Sequence, residues 1–452
     1  MRRLGLIVAT CTLLVGACGS DRNDAVSTTV APVTTAAAPD STGVPTSETV
    51  GSTPITSPDT SEPAAGTETK CVYRKRLLIA FDDLLTLDGF DTTDVTAITD
   101  LAQLSDIGAE QLTADDFDSL FGPDGGPRLF LYDVGEQDPL ALAHSAQDLG
   151  VDATPVLVVT PTYHWTFAPG TPWNDDAPMP DDPPALAGPE TRIAVIDTGY
   201  TDTPSTPQWL KDRVEVTDPV LDADHAAGTP FEGHGKFVAS VIAQQEPQTH
   251  IVEAAMPRVE AGNFYNIEDA LPPGMRSDEA DVADELGFAA AVGRLVKRDG
   301  FNVLNLSVGS WSCDGLNRSG AVFESSLNRW DRSEIGSFVV AAAGNHGVEV
   351  PADSVFIPAA WGQPDQQHYR DNLISVFALD KAGVSQASFS NPGTVGAIGV
   401  DLLGIREDGH GTYWGGSSFA TAVVSAWVAA NGQKPTSPTI DLAPSLEQSL
   451  KP

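Results

Sequence analysis

A carboxylate, an imidazole and a serine hydroxyl stand in this chain in settings that suit nucleophilic catalysis, in the order Asp197, His234, Ser418. Asp197 ends the apolar run Ile193 to Ile196 and precedes Thr198 and Gly199. A buried parallel strand ends in this way when it delivers a side chain to the carboxyl edge of a sheet. His234 stands between Gly233 and Gly235, which remove side chains from both of its flanks, and Lys236 to Ala243 reads as a helix that would hold the ring. Ser418 opens the apolar stretch Phe419 to Ala430, a buried helix closed by Asn431 and Gly432. A serine at such a helix start lies beside unpaired backbone N–H groups and the positive end of the dipole, where negative charge is favoured. A serine hydroxyl is a poor nucleophile at neutral pH; an imidazole that takes its proton, oriented by a carboxylate, corrects this. Singly, each segment has an ordinary alternative. Many strands end in Asp-Gly turns, a lone histidine is commonly a core or surface ring, and a serine can merely cap a core helix.

Taken together, Ile193-Ala-Val-Ile-Asp-Thr-Gly199, Gly233-His-Gly235, Ala341-Ala-Ala-Gly-Asn-His-Gly347 and Gly415-Gly-Ser-Ser-Phe-Ala420 resemble the subtilisin-like serine proteases, the subtilases, over about residues 190–432. Asp before His before Ser is the subtilisin order. The resemblance implies a doubly wound parallel α/β catalytic domain over 191–432 that hydrolyses peptide bonds of proteins through an acyl-enzyme. Asp197, His234 and Ser418 would form the triad, and the Asn345 amide with the Ser418 backbone N–H would hold the oxyanion. No cofactor is required for that chemistry. The family pattern Gly-Thr-Ser-Met-Ala-x-Pro stands here with Ser417, Phe419 and Ala422 as departures, and Lys236 and Phe237 replace a Thr and a His after the histidine. These departures motivate a second reading, a pseudoprotease or surface protein that binds peptides through the same cleft. Asn345 alone is equally a turn residue, and His346 has no fixed role in the pattern.

Asp278 to Val296 reads as an amphipathic helix feeding a strand from Phe301 to Gly309. That strand resembles the one with which subtilases pair extended substrates, which makes Ser307, Val308 and Gly309 substrate-binding residues and equally an ordinary core strand. Leu373 to Leu379 supplies a further strand, and alternation with helices indicates an α/β fold.

Upstream, Arg2 and Arg3 precede an apolar stretch from Leu4 to Val15, suited to a secretory signal over residues 1–17 and short for a membrane span. Its ending, Val15-Gly-Ala-Cys18, resembles a bacterial lipobox, in which Cys18 is lipidated and anchors an exported protein at the cell surface; plain secretion is the alternative. Residues 18–70, rich in Ser, Thr, Pro, Ala and Asp, lack periodic apolar positions and read as a disordered tether. Residues 71–165 become globular again, with strand character at Arg128 to Asp133, a helix from Asp138 to Gly150 capped by Asp138-Pro139, and a strand at Thr154 to Val159. This smaller α/β domain resembles the inhibitory pro-domain of subtilases; an unrelated accessory module is the alternative. Residues 166–190, rich in Pro and Asp, form a connection where maturation cleavage would fall, and 433–452 a tail.

Composition agrees with an exported hydrolase. Asp plus Glu total 62 against 25 Lys plus Arg, a net charge of −37, which repels nucleic acid and anionic membranes, so a membrane would be reached by the lipid anchor only. With Cys11 inside the signal and Cys18 at the lipid site, Cys71 and Cys313 are the pair left for a disulfide, with two independent thiols as the alternative. The acidic run Asp218 to Asp224 offers hard oxygen ligands for a structural calcium, although exposed carboxylates on a turn are the preferred reading.

Overall fold

A computed structural model of the chain describes residues 71–107, 112–121, 128–161, 177–183, 190–224, 231–269, 271, 281–313, 316–347, 355–443, 446 and 450. Cys18, the signal-like start and the tether lie outside these residues, as does most of the connection 166–190.

The amino-terminal part forms β1 (Tyr73–Ala80), β2 (Thr96–Ala97), α1 (Leu101–Asp106), α2 (Ala114–Phe121), β3 (Phe130–Asp133), α3 (Pro139–Asp148) and β4 (Ala153–Pro161). Helix α3 begins as its sequence dictates: the Asp138 carboxylate accepts the Leu140 N–H, with Pro139 at the first helical position. The catalytic part follows with β5 (Thr191–Asp197), α4 (Gln208–Lys211), β6 (Val214–Val216), α5 (Pro219–Asp224), α6 (His234–Gln245) and β7 (Thr249–Ala255). Next come β8 (Arg258–Glu260), β9 (Phe264–Tyr265), β10 (Asp281–Asp284), α7 (Glu285–Leu295), β11 (Val303–Leu306), β12 (Val308–Trp311), α8 (Ala321–Ser333) and β13 (Phe338–Ala342). The chain ends through β14 (Phe356–Ile357), β15 (Leu373–Leu379), β16 (Val395–Ile398), the hairpin β17 (Leu402–Ile405) and β18 (Gly411–Trp414), α9 (Ser417–Asn431) and β19 (Thr439–Ile440).

Eight of these strands form one parallel sheet in the order β19-β16-β15-β13-β11-β5-β7-β6. Alternation along the strands sorts the core into two layers. Ile193, Val195, Val303 and Val340 pack on α6 and α9, while Ala194, Ile196, Leu304 and Ala341 pack on α7 and α8. The chain leaves β5 toward β7 and β6 on one side and later builds β11 to β19 on the other. The carboxyl ends of β5 and β11 therefore flank the point where strand order reverses, the usual place for a site in an open parallel sheet.

The amino-terminal part is closed by the catalytic part, and residues 64–452 form one compact unit. Leu77, Ile79, Leu104, Leu131 and Val156 share one cluster with Leu286, Ala289 and Ala290 of α7 and Val322 of α8. Strand β4 carries the connection further: it pairs antiparallel with β1, with β10 and with β12. Two local readings change here. Residues 281–284 form β10, not helix, because Asp284 caps α7 by accepting the Gly287 N–H and its strand pairs across to β4 and β8. The run Phe301 to Gly309 is two strands broken at Ser307, since β11 belongs to the parallel sheet and β12 leaves it for β4 and β14.

Candidate active site

Asp197 is the last residue of β5, and its side chain is fully buried. Its Oδ1 accepts the Thr198 N–H at 2.7 Å and lies 2.7 Å from Nδ1 of His234. His234 is the first residue of α6, also fully buried. Both of its glycine neighbours are required sterically. Gly233 has φ +75°, and a Cβ there would stand 2.7 Å from the Glu407 backbone nitrogen; at Gly235 a Cβ would meet the Gly199 carbonyl at 2.6 Å. The Gly235 N–H is bound in turn by Thr198 Oγ1 at 3.1 Å, so the residue after the carboxylate also fixes the helix that carries the imidazole.

The departures around His234 turn out to be packing partners. Phe237 and Phe419 lie with ring centroids 4.5 Å apart, and Trp414 stands edge-on to Phe237 at 5.4 Å. The same Phe419 and Trp414 rings flank the imidazole at 5.3 and 5.8 Å. Lys236 is buried; its ammonium donates to the carbonyls of Thr201 (2.6 Å) and Glu407 (2.9 Å), and desolvation lowers its pKa. It thereby ties the loop that follows Asp197 to the turn between β17 and β18.

Ser418 is the second residue of α9, and its hydroxyl donates to the Ser307 carbonyl at 2.9 Å, while the Ser307 hydroxyl donates to the Ser418 carbonyl at 2.9 Å. The adjacent Ser417 faces elsewhere, with its Oγ accepting the Gly344 N–H at 3.3 Å. The Asn345 Oδ1 accepts the Ser417 N–H at 2.9 Å, and its buried Nδ2 finds no acceptor among the described residues. Asn391, which the sequence did not single out, braces the loop that presents Asn345: its Nδ2 donates to the Ala343 carbonyl (2.9 Å) and its Oδ1 accepts the His346 N–H (2.9 Å). No local pattern marks that asparagine. His346 itself is exposed, edge-on to Trp311 at 4.8 Å.

Ser307, Val308 and Gly309 run along the edge of this centre. Val308 pairs with Pro161 and Gly309 with Thr160 of β4. On its other edge β4 pairs with β10, Val158 with Asp284 and Val159 with Ala283. The end of β4 is thus the middle strand of an antiparallel trio directed at Ser418. Cys71, ahead of β1, and Cys313, beyond β12, form a disulfide with Cα atoms 5.0 Å apart. Among the described residues no group of three His, Cys, Asp or Glu stands close enough to hold a metal ion. Asp218 accepts the N–H groups of Val220 and Leu221 at the start of α5. No described helix is long and apolar enough to cross a membrane.

A buried Asp–His pair at the strand-order reversal and a serine at a helix start are thus carried by one parallel α/β sheet and its helices. The model of the subtilase family matches residues 188–437, more than half of the chain. The chain belongs to that family and is a subtilisin-like serine endopeptidase acting on proteins or peptides. Among solved structures it is similar to the patellamide maturation protease PatA, at 25% identity over 55% of this chain and 82% of that one, with a TM-score of 0.38. It is also similar to the MycP3 protease from the type VII (ESX-3) secretion system, at 21% identity over 61% and 82%, TM-score 0.38. A third, the epidermin leader peptide processing serine protease EpiP from Staphylococcus aureus, is 17% identical over 68% and 81%, TM-score 0.41. No curated protein matches the chain.

Proposed function

We propose that Ser418 is the nucleophile, His234 the general base and acid, and Asp197 the group that orients the imidazole and stabilises its cation. The observation that carries this reading is Asn345: its carboxamide oxygen is tied to the Ser417 N–H, and its buried Nδ2 is left as a donor with no acceptor among the described residues. Buried donors are nearly always satisfied, so one aimed beside a helix start calls for an acceptor that arrives with the substrate. The reaction then runs as follows. The Ser418 Oγ–H proton passes to His234 Nε2 as Oγ bonds to the peptide carbonyl carbon, and the oxyanion is held by Asn345 Nδ2 and the Ser418 N–H. The imidazolium returns that proton to the amine nitrogen as the C–N bond breaks, leaving an acyl-enzyme that water, deprotonated by the same imidazole, hydrolyses.

The substrate would lie extended between β10 and β12, where main-chain pairing gives affinity. Because β4 occupies that position, the amino-terminal part would hold the precursor inactive, and the first bonds after Pro161, ahead of the 166–190 connection expected from sequence, would be those cut in maturation. Cys71–Cys313 would keep the two pieces joined afterwards. The signal-like start and Val-Gly-Ala-Cys18 support export with a lipid anchor on Cys18, read out by the mass of the amino-terminal peptide.

Labelling with a fluorophosphonate tests the chemistry. Wild-type protein and Ser417→Ala take up the probe, and Ser418→Ala does not. Unlabelled wild-type protein overturns the catalytic reading in favour of a peptide-binding cleft, and labelling lost in Ser417→Ala alone moves the nucleophile by one residue.

A further inference from the structure

The pairing of β4 fixes where the side chains of a bound strand go. Thr160 stands opposite Gly309 and Pro161 opposite Val308, so a substrate in this register sets its next residue opposite Ser307. That residue is the one whose carbonyl meets the nucleophile, since the Ser307 carbonyl is itself 2.9 Å from the Ser418 hydroxyl. In an antiparallel pair opposite residues share a face, and Ser307 and Gly309, two apart, share that face too. The side chain next to the scissile bond therefore emerges on the side where Gly309 carries none.

One aromatic ring already stands there. A Cβ on Gly309 would collide with the Phe356 ring, and one on Gly344, the neighbour of Asn345, would lie 3.1 Å from Phe356 Cγ. Phe356 is only 5% exposed. It is held by its own strand, since Phe356 pairs with Trp311 across β12 and β14, and by the Trp311 ring edge-on at 5.3 Å. Turning the ring away would break this packing.

We propose that Phe356 determines specificity by filling the pocket for the residue on the amino side of the scissile bond, so that substrates carry glycine, alanine, serine or threonine there. The inference rests on the catalytic roles given above to Ser418 and Asn345. In a peptide library, the self-processed protein, its two pieces still joined by Cys71–Cys313, cuts after these small residues and at least tenfold less efficiently after leucine or phenylalanine. Phe356→Ala opens the pocket and raises kcat/KM after leucine or phenylalanine, relative to alanine, about 10- to 100-fold, the scale of a few methylenes in an apolar pocket. Phe356→Leu, a milder change, shifts the profile part of the way and decides the matter if Phe356→Ala does not fold. Wild-type cutting after leucine or phenylalanine as fast as after alanine overturns the inference. So does an unchanged profile in a variant that still takes up the fluorophosphonate. Absence of labelling in wild type sinks the catalytic reading and this inference with it, so the label tells the two failures apart.

Discussion

Around His234 the residues that depart from the family pattern compensate one another. Phe237 and Phe419 stand where the pattern has His and Met, and each fills space the other leaves, with Trp414 closing the cluster on the imidazole. Lys236 is different, since it makes polar bonds in a buried place. Lys236→Thr, the family residue, would strand the carbonyls of Thr201 and Glu407; we expect a loss of about 1–3 kcal/mol in denaturant unfolding, with fluorophosphonate labelling retained. In the proposed mechanism Asn345 would act on the transition state alone. Asn345→Ala is expected to lower kcat by about 10²–10³-fold with little change in KM, a magnitude that comes from the corresponding loss in a subtilisin. An equal fall in both parameters, leaving kcat/KM unchanged, would contradict the oxyanion role.

At the scale of elements, β4 is the piece on which the proposed autoinhibition turns, because it pairs with β1 of the amino-terminal part and with β10 and β12 of the catalytic part. Amino-terminal sequencing of self-processed protein is expected to start within a few residues after Pro161. A start beyond Glu190 would show that β4 does not deliver the chain to Ser418. The same joint holds a buried ion pair, Arg74 Nη1 to Asp284 Oδ2 at 2.7 Å, with both side chains almost wholly enclosed. Removing one partner leaves a buried charge, so Arg74→Ala should destabilise by about 3–5 kcal/mol. The neighbouring Arg76–Asp133 pair is a contrast. Arg76 is 45% exposed, and Arg76→Ala should cost less than about 1 kcal/mol in the same unfolding experiment.

For the whole molecule, residues 64–452 form one compact unit, in which the amino-terminal and catalytic parts share apolar core and are linked by a disulfide spanning 242 residues of sequence. A crosslink closing so long a loop restrains the unfolded chain by roughly 5–6 kcal/mol on the chain-entropy account. Cleavage between the domains should therefore yield one band on a non-reducing gel and two after reduction. Glu285 links the same domains: it is fully buried at the start of α7, accepts the Leu157 N–H of β4 at 3.4 Å, and desolvation pushes its carboxyl up to about 8. The folded protein then keeps a proton that the unfolded chain loses above its ordinary value of 4.5. The stability this supplies is complete below about pH 4.5 and is lost as pH rises toward 8. Glu285→Gln should flatten that decline between pH 5 and 8, read by denaturant unfolding at several pH values; an unchanged slope would assign the dependence to other groups.

The residues of the centre were legible because their requirements are local. A strand that ends in Asp-Thr-Gly, a histidine with room cleared on both sides, and a serine opening an apolar helix closed by glycine each carry their signal within a dozen residues. The order of those segments identified the family and the α/β class. Tertiary structure alone decided what borders the cleft. Strand β10 is four residues long and sits against α7 in a sequence of continuous helical character, so only its partners in β4 and β8 reveal it. Asn391 and Phe356 carry no local mark at all, because what they do depends on Ala343, Gly344 and Gly309, brought to them from as far as 48 residues away along the chain. The joining of Cys71 to Cys313 is of the same kind. Cysteine counting offers a pair, but pairing needs Cα atoms within about 7 Å, and that distance is a property of the folded sheet.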